Sequence, residues 1–181
     1  MNRTSPLEYA LIGLLKQRPQ SGYDLRKAFA TTPIRHFSDS PGSIYPALRR
    51  LQARKWLAVT ADNSGRKRQV FRVTKAGDRA FRDWLHQPAT RDDVIWRLPE
   101  MLMRFAFQGG NVSRKVTLAF LEQLELHVSY YARELREYAQ QAGLAEGTST
   151  GALAFANGVE GYAAQLAWIK RTRKKIMEAS S

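Results

Sequence analysis

The residues of this chain that could do chemistry are mostly cationic. Their most exposed-looking run, Arg66-Lys67-Arg68, directly follows the turn-forming stretch Asp62-Asn63-Ser64-Gly65. Long cationic side chains at the tip of a turn are suited to neutralising phosphates, the main source of nucleic-acid affinity. A second group, Ser43, Tyr45 and Arg49, lies at the start of a helical stretch. There backbone N–H groups favour a phosphate, and an Arg one turn on can grip a guanine edge with two hydrogen bonds. Tyr23, at the start of an earlier helix, completes the candidate DNA-binding set. Tyr45 suits interhelical packing equally well, whereas Arg50 and Arg54 read as a solvated face. The C-terminal run Lys170-Arg171-Thr172-Arg173-Lys174-Lys175 reads first as a complement to a helix dipole.

Other chemistries find no residues to carry them. The 181-residue chain has no cysteine, hence no disulfide, thiolate nucleophile or cysteine-based zinc site. His36, His86 and His127 show no metal-ligand spacing. No Gly-rich phosphate loop or nucleophile elbow occurs, so no catalytic residue, metal or cofactor is assigned and an enzyme is not expected. No apolar stretch approaches the ~20 residues of a membrane span, and no signal-peptide core opens the chain, so a cytoplasmic protein is expected.

The net charge of +13 is concentrated in one half. Residues 1–90 hold 17 Lys and Arg against 6 Asp and Glu, while residues 91–181 hold 12 against 10. One half is therefore suited to a polyanion and the other to a different task.

The elements that must position these residues follow from periodicity. Ser5-Pro6-Leu7-Glu8 is a capping box with proline at the first helical position, and Leu7, Ala10, Leu11, Leu14 and Leu15 form a stripe that Pro19 ends. Ser21-Gly22-Tyr23-Asp24 opens a second helix. A third starts near Gly42-Ser43, with Pro46 in its first turn and Ile44, Ala47, Leu48 and Leu51 facing inward. Residues 57–60 and 70–73 read as a β-hairpin, and Thr74 caps a fourth helix. Helix, helix, helix, hairpin, helix is the winged helix-turn-helix order, in which the third helix enters a major groove and the wing lies along the flanking backbone. The expected fold class is mainly α with a small β-hairpin: a winged-helix DNA-binding domain over 1–88 and a helical dimerisation domain over 89–181.

In the second half, Leu121, Leu124, Val128, Tyr131, Leu135 and Tyr138 alternate spacings of 3 and 4, a heptad seam that a second copy could cover. The same stripe would serve as an ordinary core face. Trp96, Met101 and Phe105, within the apolar segment Val94–Phe107, are candidates for an effector pocket.

Along most of its length the sequence resembles the PadR family of transcriptional regulators. The resemblance rests on Leu11-Ile12-Gly13-Leu14-Leu15 with Ser21-Gly22-Tyr23-Asp24-Leu25, on the segment Gly42–Leu51, and on Gly65–Gly77. Lys55 and Phe71 depart from the family, which often has Gly and Tyr there. The resemblance implies a homodimeric regulator, usually a repressor, of double-stranded operator DNA, with a small aromatic effector in many members. The alternatives are a MarR-type winged-helix regulator, whose dimerisation helices would flank the winged helix on both sides, and a sequence-blind basic nucleic-acid-binding protein.

Overall fold

The computed structural model describes residues 4–31, 40–61 and 69–179. The chain separates into two compact units, Met1–Leu85 and His86–Ser181.

The first unit is a winged helix. Helix α1 (Pro6–Gln17) starts as the sequence dictates: the Ser5 side chain accepts from the Glu8 N–H, the Glu8 carboxylate accepts from the Ser5 N–H, and proline opens the first turn. Its apolar stripe of Ala10, Leu11, Ile12, Leu14 and Leu15 is buried. Strand β1 (Gln20–Ser21) leads into helix α2 (Gly22–Thr31), which buries Leu25 and Phe29. Helix α3 (Pro41–Ala53) buries Ile44, Ala47, Leu48 and Leu51 against α1 and α2. Strands β2 (Leu57–Ala61) and β3 (Gln69–Val73) pair antiparallel, with Val59 opposite Phe71, and helix α4 (Lys75–Leu85) follows.

Two details differ from the expectation. The sheet has three strands in the order β1-β3-β2, because Gln20 and Ser21 pair with Phe71 and Val70. Two residues are too few to register as an alternating pattern. Helix α3 begins at Pro41, capped by the Ser40 hydroxyl, so Pro46 lies inside the helix rather than in its first turn. The lone Ser-Pro start outweighs the single hydrogen bond that Pro46 cannot donate.

In the second unit, helices α5 (Arg91–Trp96) and α6 (Leu98–Gln108) precede a long pair, α7 (Arg114–Gln141) and α8 (Thr150–Glu178). Tyr131 meets Tyr162 edge to face at 4.8 Å, and Tyr138 meets Phe155 at 5.4 Å, so α7 and α8 run antiparallel. Val94, Met101, Leu121, Leu124, Val128 and Ile169 form the core. The first half of the heptad-like stripe is therefore buried within the chain. Leu121, Leu124 and Val128 are fully buried against α5 and α8, Tyr131 is partly buried beside Tyr162, Leu135 is partly buried, and Tyr138 is exposed against Phe155. A 3–4 stripe is common to coiled coils and to helices packed in their own domain, and here the second geometry has taken its first half.

Candidate nucleic-acid interface

Helix α3 presents two faces. Ile44, Ala47, Leu48 and Leu51 hold it in the core, which leaves Tyr45 and Arg49, one turn apart, exposed on the outward side; Ser43, in the first turn, is half-buried and projects to a different side of the helix. Tyr45 combines both roles open to it. Its ring lies against Gly22, where an added Cβ would come within 2.6 Å of it, yet Tyr45 remains 41% exposed. Only glycine at position 22 allows this approach, and it brings Tyr45 beside the first turn of α2.

That turn is held by a reciprocal cap, in which the Ser21 N–H and hydroxyl donate to the Asp24 carboxylate and the Asp24 N–H donates to the Ser21 hydroxyl. Tyr23 follows directly, 53% exposed, with the Arg26 guanidinium 5.6 Å from its ring centroid. The structure thus gathers Tyr23, Tyr45 and Arg26 around Gly22, with Arg49 on the same helix face as Tyr45. Arg26 was missed by sequence reasoning. Its signal is its place three residues after Tyr23 on a helix, where side chains meet.

Arg50 and Arg54 prove to be more than a solvated face. The Arg50 Nε donates to Glu8 Oε1 at 2.8 Å, and the Arg54 guanidinium lies 3.6 Å from Glu8 Oε2 and donates to the Thr4 hydroxyl at 2.9 Å. Glu8 is only 1% exposed, so one buried carboxylate ties the base of α1 to the last turns of α3 and fixes the pitch at which Tyr45 and Arg49 are offered.

The exit from α3 is equally constrained. Trp56 N–H donates to the Leu51 carbonyl and Lys55 N–H to that of Gln52, a Schellman ending with Lys55 at φ 59°. Thr74 N–H and hydroxyl return to the Trp56 carbonyl, and a Cβ on Gly77 would lie 2.3 Å from that same oxygen. Glycine at 77 thus lets α4 dock where β2 begins. The turn Asp62–Gly65 and the tip cations Arg66, Lys67 and Arg68 lie outside the described residues. They connect Ala61 to Gln69, which face each other at the end of the β2–β3 ladder.

The effector-pocket candidates do not line one cavity. Trp96 is 79% exposed and Met101 is in the core, while Phe105 stands edge to face on Trp168. With Leu102, Ala106 and Gln165 these two rings line an open groove of about 400 Å³. Among the described residues there is no cluster of three or more potential metal ligands, and no helix is long and apolar enough to cross a membrane.

Residues 11–83 match the family described as transcriptional regulator PadR-like. The chain is 31% identical over 86 residues to the negative transcriptional regulator PadR of Bacillus subtilis, covering 45% of this chain and 47% of that protein, about half its length. Among solved structures it is similar to Bacillus subtilis PadR in complex with operator DNA, at 21% identity over 94% of this chain and 98% of that one, with a TM-score of 0.40. The same protein in complex with p-coumaric acid matches at 20% identity over 98% and 99%, with a TM-score of 0.41. A PadR-like transcriptional regulator from Bacillus cereus matches at 23% identity over 93% and 94%, with a TM-score of 0.42.

Proposed function

We propose, from the match of residues 11–83 to the PadR-like transcriptional-regulator family, that the protein is a dimeric, sequence-specific repressor of double-stranded operator DNA in the cytoplasm, released by a small aromatic effector. The observation that carries the reading is the outward face of α3. Tyr45 and Arg49 are held there by a buried helix face and by the Glu8–Arg50 tie, in the unit that holds most of the positive charge. In this reading Arg49 reads a base edge, Ser43 and Tyr23 position the phosphates, and Arg66, Lys67 and Arg68 follow the flanking backbone.

Dimerisation requires a surface other than the 121–128 stripe. Leu126 and Tyr130, one turn apart on α7, are both exposed, and they are an apolar pair a second copy would cover. For the effector, the Phe105–Trp168 groove offers two aromatic edges, and p-coumaric acid is the probe to titrate against the protein–DNA complex.

Selection of bound duplexes from a random pool supplies the operator for the deciding experiment. Arg49→Ala is expected to weaken binding to the selected site by roughly ten- to a hundredfold more than binding to mixed-sequence DNA. Equal loss on both would reduce Arg49 to a phosphate contact and remove the specific reading of α3.

A further inference from the structure

The helical unit, residues 86–181, has nearly balanced charge, with 12 Lys and Arg against 10 Asp and Glu, but the balance is not local. The end of the α7–α8 pair made by residues 113–125 and 168–178 holds 7 cations against 3 acids, and the rest of the unit holds 5 against 7. Most cations elsewhere in the unit are matched: Arg91 by Glu134, Arg97 and Arg104 by Asp93, Arg133 by Glu137. At the basic end, among the described residues, only Arg173, which turns inward to Glu125, and Lys174, beside Glu178 at 3.7 Å, have acidic partners. Among the described residues Lys115, Lys170, Arg171 and Lys175 have no carboxylate within ion-pair distance.

The placement on α8 sharpens the point. Ile169, Arg173 and Ile176 turn toward α7, so Lys170, Arg171, Lys174 and Lys175 share the opposite, exposed face. Lys170 with Lys174 and Arg171 with Lys175 are like-charge pairs one turn apart, an arrangement that opposes helix formation unless an anion lies over it. The helix dipole explains little of this. Its influence is confined to the last turn, which holds Lys175, whereas Lys170 and Arg171 lie well before it. The Arg114 guanidinium, moreover, already donates to the Met177 carbonyl at 2.5 Å.

We infer that this outward face of α8, Lys170, Arg171, Lys174 and Lys175, is a second contact for the phosphate backbone of double-stranded DNA, independent of base sequence. The inference rests on the DNA-binding reading of the first unit and extends it to the helical unit. Duplex DNA carries one charge per about 1.7 Å of axis, and a face of four cations on little more than a helical turn matches that density. No large apolar side chain shares the face except at its edge, where Met177 is exposed, so charge alone must supply the affinity.

The test compares the full-length protein with the variant Lys170→Gln, Arg171→Gln, Lys174→Gln, Lys175→Gln on a mixed-sequence duplex of about 60 base pairs across a salt series. The slope of log K against log salt is expected to fall by about two to four, with binding at low salt weakened tenfold or more. A second variant, Lys170→Arg, Lys174→Arg, Lys175→Arg, is expected to keep the wild-type slope, which separates charge from helix integrity. An unchanged slope in the Gln variant overturns the inference. So does a Gln variant that loses only binding to vesicles containing phosphatidylserine, which would assign the face to an anionic membrane. A wild-type protein that fails to bind the duplex at all would instead defeat the DNA-binding reading itself.

Discussion

At Lys55 the backbone takes φ 59°, the left-handed region that a side chain with a Cβ resists and glycine adopts freely. The Schellman ending of α3 requires that geometry, because the two carbonyls of Leu51 and Gln52 are satisfied only if the chain reverses there. Lys55→Gly is therefore expected to stabilise the first unit by about 0.5–1 kcal/mol, the relief of strain exceeding the entropy a glycine adds to the unfolded chain. Thermal melting read by circular dichroism checks it, with Lys55→Ala as the comparison. Alanine keeps the Cβ and removes the charge, so equal stabilisation by Ala and Gly would show charge repulsion rather than backbone strain. At this scale the sequence was informative where a residue type answers a backbone demand. The Ser5–Glu8 and Ser21–Asp24 caps could be read directly, because each oxygen serves an N–H three residues away. The Glu8 tie to Arg50 and Arg54 could not, since it joins residues 42 and 46 positions apart whose meeting depends on how α1 crosses α3.

Helix α4 is docked on α1 by two contacts of different character. Tyr9 and Trp84 stack at 4.3 Å and 7°, and Lys16 pairs with Asp78, which also meets Arg82. The hydrogen bond from Lys16, aided by the charges of Lys16 and Arg82 and opposed by partial burial, holds the Asp78 carboxyl below its ordinary value of 3.8. The folded state therefore favours the ionised form more than the unfolded chain does. That stability is present above the ordinary value and is lost as the pH falls through the lowered one. Asp78→Asn is expected to lower Tm at neutral pH and to flatten its fall below about pH 4. A variant whose acid limb matches the wild type would show that other carboxylates govern acid unfolding. Helices and strands of ordinary length were legible because four or more residues share one period. What the sequence left open lay where the period was ambiguous or too short. The α7 stripe is the same whether a partner chain or α8 covers it, and β1 is two residues whose pairing with β3 no local pattern announces.

The charge split between the halves was visible in the sequence because net charge is a sum and needs no geometry, whereas the basic end of the helical unit appeared only once α7 and α8 were paired antiparallel. The expected domain boundary at 88 and the observed division after Leu85 fall in the same short segment, ahead of the Thr90 cap on α5. Each unit has its own buried core, Leu11, Leu25, Ile44 and Phe81 in the first and Met101, Leu121, Leu124 and Val128 in the second. Each should therefore fold alone. A fragment of residues 1–88 is expected to sediment as a folded monomer that keeps the sequence preference of the full chain, while residues 89–181 sediment as a dimer. Linking two recognition helices makes the second half-site contact intramolecular, so the fragment should bind a two-fold symmetric operator at least about a hundredfold more weakly than the full-length protein. A fragment 89–181 that stays monomeric at micromolar concentration would place dimerisation elsewhere. A fragment 1–88 that binds the operator as tightly as the full chain would mean that one winged helix reads the whole site, and the symmetry argument would fail with it.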